Sequence, residues 1–336
     1  MLISLILPIY GVEKYIKKCI ESCCNQKLIE PEEYEIILVD DSTPDKSIEI
    51  AKSVLEQYPK VNYSIVKRPN GGLSAARNTG LSHSSGEYVW FIDSDDWIES
   101  DALSLLKETI KNNPQAEVIS FGHFTDYNTK SINHGLPNSL LEVIVPGISV
   151  IDNTNFYAAW NKIYKRSVLT SLDISFKEGI LWEDGEFNLR VLPLIRKHYG
   201  LKESLYHYVR RPGSISTSKK VKHTLDSDLI KYESVSRWFT IYKLTDEASA
   251  ILNRRNNEAV IFYLAGVPEL NKEERKVYLK KIKDLKRQIK ESFIKSDSKL
   301  QKILLPLIIY SPSVIAWVLH RKMQRLIANE DKLINQ

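Results

Sequence analysis

The feature that most constrains this chain is the segment Glu87-Tyr-Val-Trp-Phe-Ile-Asp93-Ser94-Asp95-Asp96-Trp97. An uncharged, β-prone run from Tyr88 to Ile92 stops at three carboxylates within four residues. Such a run reads as a strand buried on both faces of a sheet. Carboxylates this close repel one another, so a cluster of them at a strand end calls for a compensating cation. Hard divalent ions such as Mg²⁺ or Mn²⁺ prefer oxygen ligands and leave coordination positions for phosphate. Asp93-Ser94-Asp95 therefore reads as a metal-binding D-x-D at a strand's carboxyl end. Taken alone, it reads equally well as an acidic turn before a helix starting near Ser100.

The preceding residues decide between these readings. Leu2–Leu7 forms a first strand that Pro8 ends, and a helix with Val12, Ile16, Cys19, Ile20 and Cys23 on one face runs to about residue 25. Tyr34–Val39 is a second strand closing on Asp40-Asp41, with a helix from Ser42 and Asp45 to about Tyr58. Asn62–Lys67 is a third strand, followed by the turn at Gly71-Gly72 and a helix from Leu73. Strands alternating with helices imply an α/β fold with a mainly parallel sheet, whose ligands bind beyond the carboxyl ends of the strands. Tyr10, Asp40, Asp41, Arg77, Asp93 and Asp95 all follow strand ends in this way, which makes that edge a site. Asp41 can accept from a pyrimidine N–H and Tyr10 can stack on a base. The glycine turn lets backbone approach a phosphate at a helix N-terminus, and Arg77 can grip phosphate oxygens.

These motifs resemble the family 2 glycosyltransferases of the GT-A fold: Pro8-Ile-Tyr10, Val39-Asp-Asp41-Ser, Asn70-Gly-Gly-Leu-Ser-Ala-Ala-Arg77-Asn78-x-Gly80 and Phe91-Ile-Asp-Ser-Asp-Asp-Trp97. The match runs over roughly the first 215 residues. It implies a GT-A, Rossmann-like sheet flanked by helices, a nucleotide-sugar donor, usually a UDP-sugar, and a divalent metal, Mn²⁺ or Mg²⁺. The implied donor site comprises Pro8, Tyr10, Glu13, Asp40, Asp41, Arg77, Asp93 and Arg211, with Asp93 and Asp95 on the metal and His207 as a candidate third ligand. Glu183-Asp184-Gly-Glu-Phe187 matches the family's Glu-Asp-x-x-Phe, which implies Asp184 as catalytic base and Trp182 and Glu183 on the acceptor side. The implied reaction is an inverting transfer, of hexosyltransferase type, to a hydroxyl of a glycan or lipid-linked acceptor in cell-surface polysaccharide synthesis. Two departures stand out: Gly11 where the family often has Asn, and Ser42 where it often has Gly.

Beyond this match, Ala116–Phe124 reads as a strand, the stretch to Asn138 as a polar loop, Trp160 to past Leu172 as a helix, and Phe187–Arg196 as another. Domain limits fall at 1–220 for a catalytic domain and 221–336 for an appended helical region. In the latter, Lys272–Lys302 carries twelve basic and five acidic residues and reads as a basic amphipathic helix. Ile303–Leu319 follows without a charge but contains Pro306 and Pro312. Together, 272–325 fit either a fold against the catalytic domain or peripheral contact with an anionic membrane leaflet.

Three clustered cysteines give no disulfide framework and, with an apolar N-terminus too short to span a bilayer, point to a cytoplasmic protein, free or peripheral on the inner membrane face. The net charge of +5 accompanies an acidic site, which argues against nucleic acid as partner. A nucleotidyltransferase of similar fold and a non-catalytic nucleotide-sugar-binding module are the rival readings. The former lacks a Gly-rich loop after strand one.

Overall fold

The computed structural model describes residues 1–127, 129–153, 157–210 and 221–334, with side chains through residue 326. Its contacts divide the chain into two units, Met1–Gly179 with Glu183–Ser214, and Ile180–Trp182 with Ile215–Gln336.

The first unit is α/β. It opens β1 (Ile3–Ile9), α1 (Ile16–Cys24), β2 (Tyr34–Asp40), α2 (Ser47–Leu55), β3 (Tyr63–Lys67), α3 (Leu73–His83), β4 (Tyr88–Phe91) and the short β5 (Trp97–Ile98). It continues with α4 (Ala102–Asn112), β6 (Val118–Asp126), β7 (Ser131–His134), β8 (Ile144–Val145), α5 (Gly147–Asn153), β9 (Lys162–Lys165), α6 (Arg166–Ser171), α7 (Glu183–Val191) and β10 (His198–Val209). The sheet order is β3-β2-β1-β4-β9-β6-β10-β5, with β7 on β6 and β8 on β10. From β3 to β4 the strands are parallel, in register Ile3↔Tyr34 and Ile3↔Tyr88. β1, β2 and β4 are buried on both faces, as their apolar runs require.

Several local expectations are corrected. β1 runs through Pro8 to Ile9. The Pro8 carbonyl faces the side of β1 where pairing with β4 has ended and accepts from Ser94 Oγ at 2.6 Å, so the missing N–H of Pro8 costs no ladder bond. Helix α2 starts at Ser47, later than the expected start at Ser42, with Lys46 at its N-cap and Asp45 just before it accepting from Ser47 N–H at 3.1 Å. The expected loop before Asn138 contains β7, a hairpin partner of β6. The expected helix from Trp160 is instead the strand β9, wedged antiparallel between β4 and β6, with α6 following. Helix α7 starts at Glu183, so the acidic residues form its first turn, where the helix dipole favours them.

The second unit is helical: α8 (Val221–Ile241), α9 (Asp246–Gly266), α10 (Lys272–Asp284), α11 (Lys286–Lys295), α12 (Lys299–Tyr310) and α13 (Pro312–Ile334). They enclose their own core around Leu225, Tyr232, Val260, Tyr263, Ile289, Phe293, Ile308 and Ile315. The single basic helix expected over 272–302 is three, broken at Leu285 and at Ser296–Ser298, where the Ser298 hydroxyl caps α12. No helix of the described residues is long and apolar enough to cross a membrane.

Candidate active site

The site grows from the carboxyl end of β1. Beyond Ile9 the exposed Tyr10 ring stands free of the core, at 54% exposure. Gly11 turns the chain with φ +68°, and its N–H donates to Thr43 Oγ1 at 2.9 Å. Glu13 N–H donates to Asp45 at 3.0 Å, and the Glu13 carboxylate accepts from Lys46 N–H at 3.3 Å. Against the upward push of burial, hydrogen bonds from Ser47, Thr43 and the Glu13 N–H hold the Asp45 carboxyl down at about 2. Glu13 and Asp45 thus lace the loop after β1 to the loop after β2. The two departures from the family pattern meet the same backbone constraint in opposite ways, Gly11 satisfying it and Ser42 bearing its strain. Ser42, at φ +55°, and Gly11 both sit in left-handed backbone, where Gly and Asn are the tolerated residues.

Asp40 ends β2 and Asp41 follows it, and both are buried. Asp40 accepts from Thr43 N–H at 2.9 Å. Asp41 accepts from Arg68 Nη1 at 2.8 Å, Gly71 N–H at 3.0 Å and Gly72 N–H at 2.8 Å. Its carboxylate therefore shapes the glycine turn that precedes α3. Arg68 was not singled out in the sequence; its place at the end of β3, opposite an acidic β2 end, was the available signal.

On the other side of β1, the D-x-D turn is held by Ser94 on the Pro8 carbonyl and by Tyr206 of β10. The Tyr206 hydroxyl donates to Asp96 at 2.7 Å and accepts from Asp93 N–H at 3.1 Å. Asp96 also accepts from Val209 N–H at 2.8 Å and is nearly fully buried. Burial, then the charges of Asp95 and Asp93, push its carboxyl well above the usual range. Asp96 is the inward acid of the cluster, while Asp93 and Asp95 are half-buried. Their oxygens, crowded beside a third acid, fit a hard divalent cation in donor type. Among the described residues no three His, Cys, Asp or Glu side chains converge as a metal cage, so other oxygens would have to complete the shell.

His207, the candidate third ligand, has its ring nitrogens on other carboxylates. Its ring is stacked between Trp97 and Phe124, Nδ1 faces Asp126 at 3.0 Å, and Nε2 faces Glu99 at 2.8 Å. Both nitrogens are engaged, and the role is packing and bracing of β10 on β5.

The centre of the site is Arg77, which the sequence suggested would hold phosphate. The structure places it 1% exposed, with Nη2 donating to Asp93 at 2.7 Å and Nη1 donating to Glu183 at 2.7 Å and to Asp184. The Phe176 ring lies 5.1 Å from its guanidinium carbon. Three carboxylates outweigh burial, so the guanidinium is locked in its charged form. Helix α3 brings it there by packing closely on β1: a Cβ at Gly80 would lie 2.2 Å from Ile6 Cγ2. Burial raises the Glu183 carboxyl to about 7 despite Arg77, with Asp184 adding to the rise. Burial likewise raises Asp184, opposed by Arg77 and reinforced by Asp93. The second Asp184 oxygen accepts from Ala159 N–H at 3.0 Å.

Lys162, at the start of β9, is also buried, with Nζ donating to Ala158 O and Asn161 Oδ1, both at 2.7 Å. Burial lowers it to about 7, and the charge of Asp184 resists that shift. The sequence offered only a lysine in Trp160-Asn-Lys162 as a sign of it. Trp182 stands at φ +61° and 42% exposure in the segment Ile180–Trp182, which groups with the helical unit, where Leu181 N–H donates to Ser227. Arg211 lies outside the described residues.

A mixed sheet whose parallel strands β1, β2, β3 and β4 gather a D-x-D turn and a glycine turn at their carboxyl ends, with an acidic helix start beside them, defines a GT-A class α/β fold. The chain belongs to glycosyl transferase family 2, whose model matches residues 4–172. It is 36% identical over 235 residues to the glycosyltransferase GlyA of Streptococcus pneumoniae, covering 66% of this chain and 33% of that protein. It is 32% identical over 260 residues to the uncharacterized glycosyltransferase EpsJ of Bacillus subtilis, covering 75% and 74%. The chain therefore spans about a third of the pneumococcal relative and about three quarters of the Bacillus one. In fold it is similar to S. aureus TarS 1–349, solved with UDP-GlcNAc, at TM-score 0.77 and 23% identity over 97% of this chain and 92% of that one.

Proposed function

We propose that this chain transfers a sugar from a nucleotide-sugar donor, a UDP-sugar, to a hydroxyl of a glycan or lipid-linked acceptor, with inversion at the anomeric carbon. The observation that carries the reading is the shared guanidinium of Arg77, which ties Asp93 of the D-x-D to Asp184 of the Glu-Asp pair. One cation thus sets the spacing between the carboxylate nearest the donor diphosphate and the carboxylate that serves the acceptor. The transfer chemistry belongs to residues 1–220, with 221–336 as an appended helical region.

In this reading the base of the donor stacks on Tyr10 beside Pro8, Asp40 and Asp41, and the glycine turn faces a phosphate. Asp41 acts there by shaping the turn, Glu13 by bracing the Tyr10 loop, and Arg77 by holding carboxylates in place. Arg211 completes the diphosphate contacts by the family resemblance alone. Asp93 and Asp95 would hold Mn²⁺ or Mg²⁺, which when bound supplies positive charge to the diphosphate leaving group. Asp184 takes the proton of the acceptor hydroxyl as its oxygen forms the bond to the anomeric carbon. The bond from that carbon to the diphosphate oxygen breaks, and the electron pair leaves with the nucleoside diphosphate. A carboxyl raised by burial, as Asp184 is, suits proton abstraction near neutral pH. Glu183 and Trp182 serve the acceptor side.

Two measurements test this. A panel of nucleotide-sugars is screened for protection against thermal unfolding with and without Mn²⁺, and the protecting donor is then used in a transfer assay. Asp184→Asn is expected to keep donor protection and lose about 10²–10⁴-fold in transfer. A binding-only module predicts protection without turnover, and a nucleotidyltransferase predicts pyrophosphate release from a nucleoside triphosphate; either result would overturn the proposal.

A further inference from the structure

Helices α12 and α13 carry two apolar faces. One is buried in the core of the helical unit through Ile308, Ile315 and Ala316. The other presents Ile303, Leu307, Tyr310, Val314, Trp317 and Val318 to solvent at exposures between 44% and 77%, spaced four and three residues apart along both helices. A helix apolar on both sides has a partner on both, and an exposed stripe of this kind marks an interaction surface.

Charge identifies the partner. From Ser298 to Asn329 the sequence holds no acidic residue, whereas Lys299, Lys302, Arg321, Lys322 and Arg325 are all exposed. Cations from neighbouring helices approach the two aromatic rings of the stripe: Lys286 lies 4.9 Å from the Tyr310 ring and Arg275 lies 5.3 Å from the Trp317 ring. At its far end, Val318 and Leu326 line a shallow concavity of about 470 Å³ together with Arg321, Lys322 and Arg325. A second copy of the chain would set these cations against one another across a two-fold contact, which opposes self-association through this face.

We propose that this face of α12 and α13 docks the chain on an anionic lipid surface. The apolar stripe enters the headgroup boundary, Tyr310 and Trp317 sit at the interface, and the lysines and arginines meet lipid phosphates. The docking is independent of the transfer chemistry, so its failure leaves the assignment of Asp184 untouched.

The test is flotation of the full chain with vesicles of phosphatidylglycerol and phosphatidylcholine in equal parts, against vesicles of phosphatidylcholine alone. Binding at least tenfold stronger to the anionic vesicles is expected. Ile303→Ser/Val314→Ser/Val318→Ser should lose binding by at least tenfold, and Lys302→Glu/Arg321→Glu/Lys322→Glu should lose the anionic preference. Both variants change exposed side chains, and unchanged thermal unfolding by circular dichroism verifies that they fold. Equal binding to neutral and anionic vesicles, or binding unaffected in both variants, overturns the proposal. So does a dimer in sedimentation that the serine variant dissolves while the wild type ignores vesicles.

Discussion

Replacing Arg77 by methionine keeps much of the buried volume and removes the guanidinium that Asp93, Glu183 and Asp184 all touch. Breaking a buried pair by deleting one partner costs about 3–5 kcal/mol. The three contacts do not add, because the cluster can answer by binding a proton. Holding one carboxyl with an unfolded value of about 4.3 neutral costs about 5 kcal/mol at pH 8 and about 1.6 kcal/mol at pH 5.5. Proton uptake therefore caps the loss near the upper figure at pH 8 and near the lower one at pH 5.5. The sign follows from linkage: without Arg77 the folded carboxyls titrate above their unfolded values, so stability is retained at low pH and lost as pH rises through the folded value. For a unit of this size, about 2–4 °C per kcal/mol converts the loss at pH 8 to roughly 6–20 °C in Tm. Thermal unfolding of wild type and Arg77→Met by circular dichroism between pH 5.5 and pH 8 reads this directly. A Tm gap below about 2 °C at pH 8, or a gap that does not narrow toward pH 5.5, would refute the account of Arg77 as the cation of the cluster.

Asp95→Ala should abolish the metal-dependent part of donor protection in thermal unfolding while leaving Tm without ligand within about 2 °C; protection by Mn²⁺ that survives the substitution contradicts the metal assignment. Glu183 has a folded value of about 7, above its unfolded one, so it favours the fold below about pH 4 and that contribution fades as pH rises through 7. Glu183→Gln removes this fading, so its Tm relative to wild type should rise between pH 5 and pH 8; a fall would reverse the assigned direction. Gly80→Ala places a methyl against Ile6 and should cost about 1–3 kcal/mol as α3 is pushed off β1, read by urea unfolding. No change there would mean that α3 can shift freely.

The pattern of residues alone determined the alternation of β1 to β4 with α1 to α4 and the polar ends of those strands, because a strand buried on both faces and an amphipathic helix each leave a local signature. It marked the D-x-D turn, the glycine turn and the Glu-Asp pair for the same reason: each lies within a few consecutive residues. It missed β9, since Lys162–Lys165 is four residues long and becomes a strand by pairing with β4 and β6, neither of which is its neighbour in sequence. It read Arg77 as a phosphate grip and did not foresee its carboxylate partners, because nothing near Arg77 announces that Glu183 and Asp184, 106 and 107 residues away, will meet its guanidinium. His207 and Asp41 follow the same logic, their partners lying 27 to 108 residues distant. Which residues are polar and where strands end is a short-range matter of side-chain type and period. Which of them neutralise one another is a Coulombic question in a desolvated interior, and only the folded arrangement brings those charges within reach.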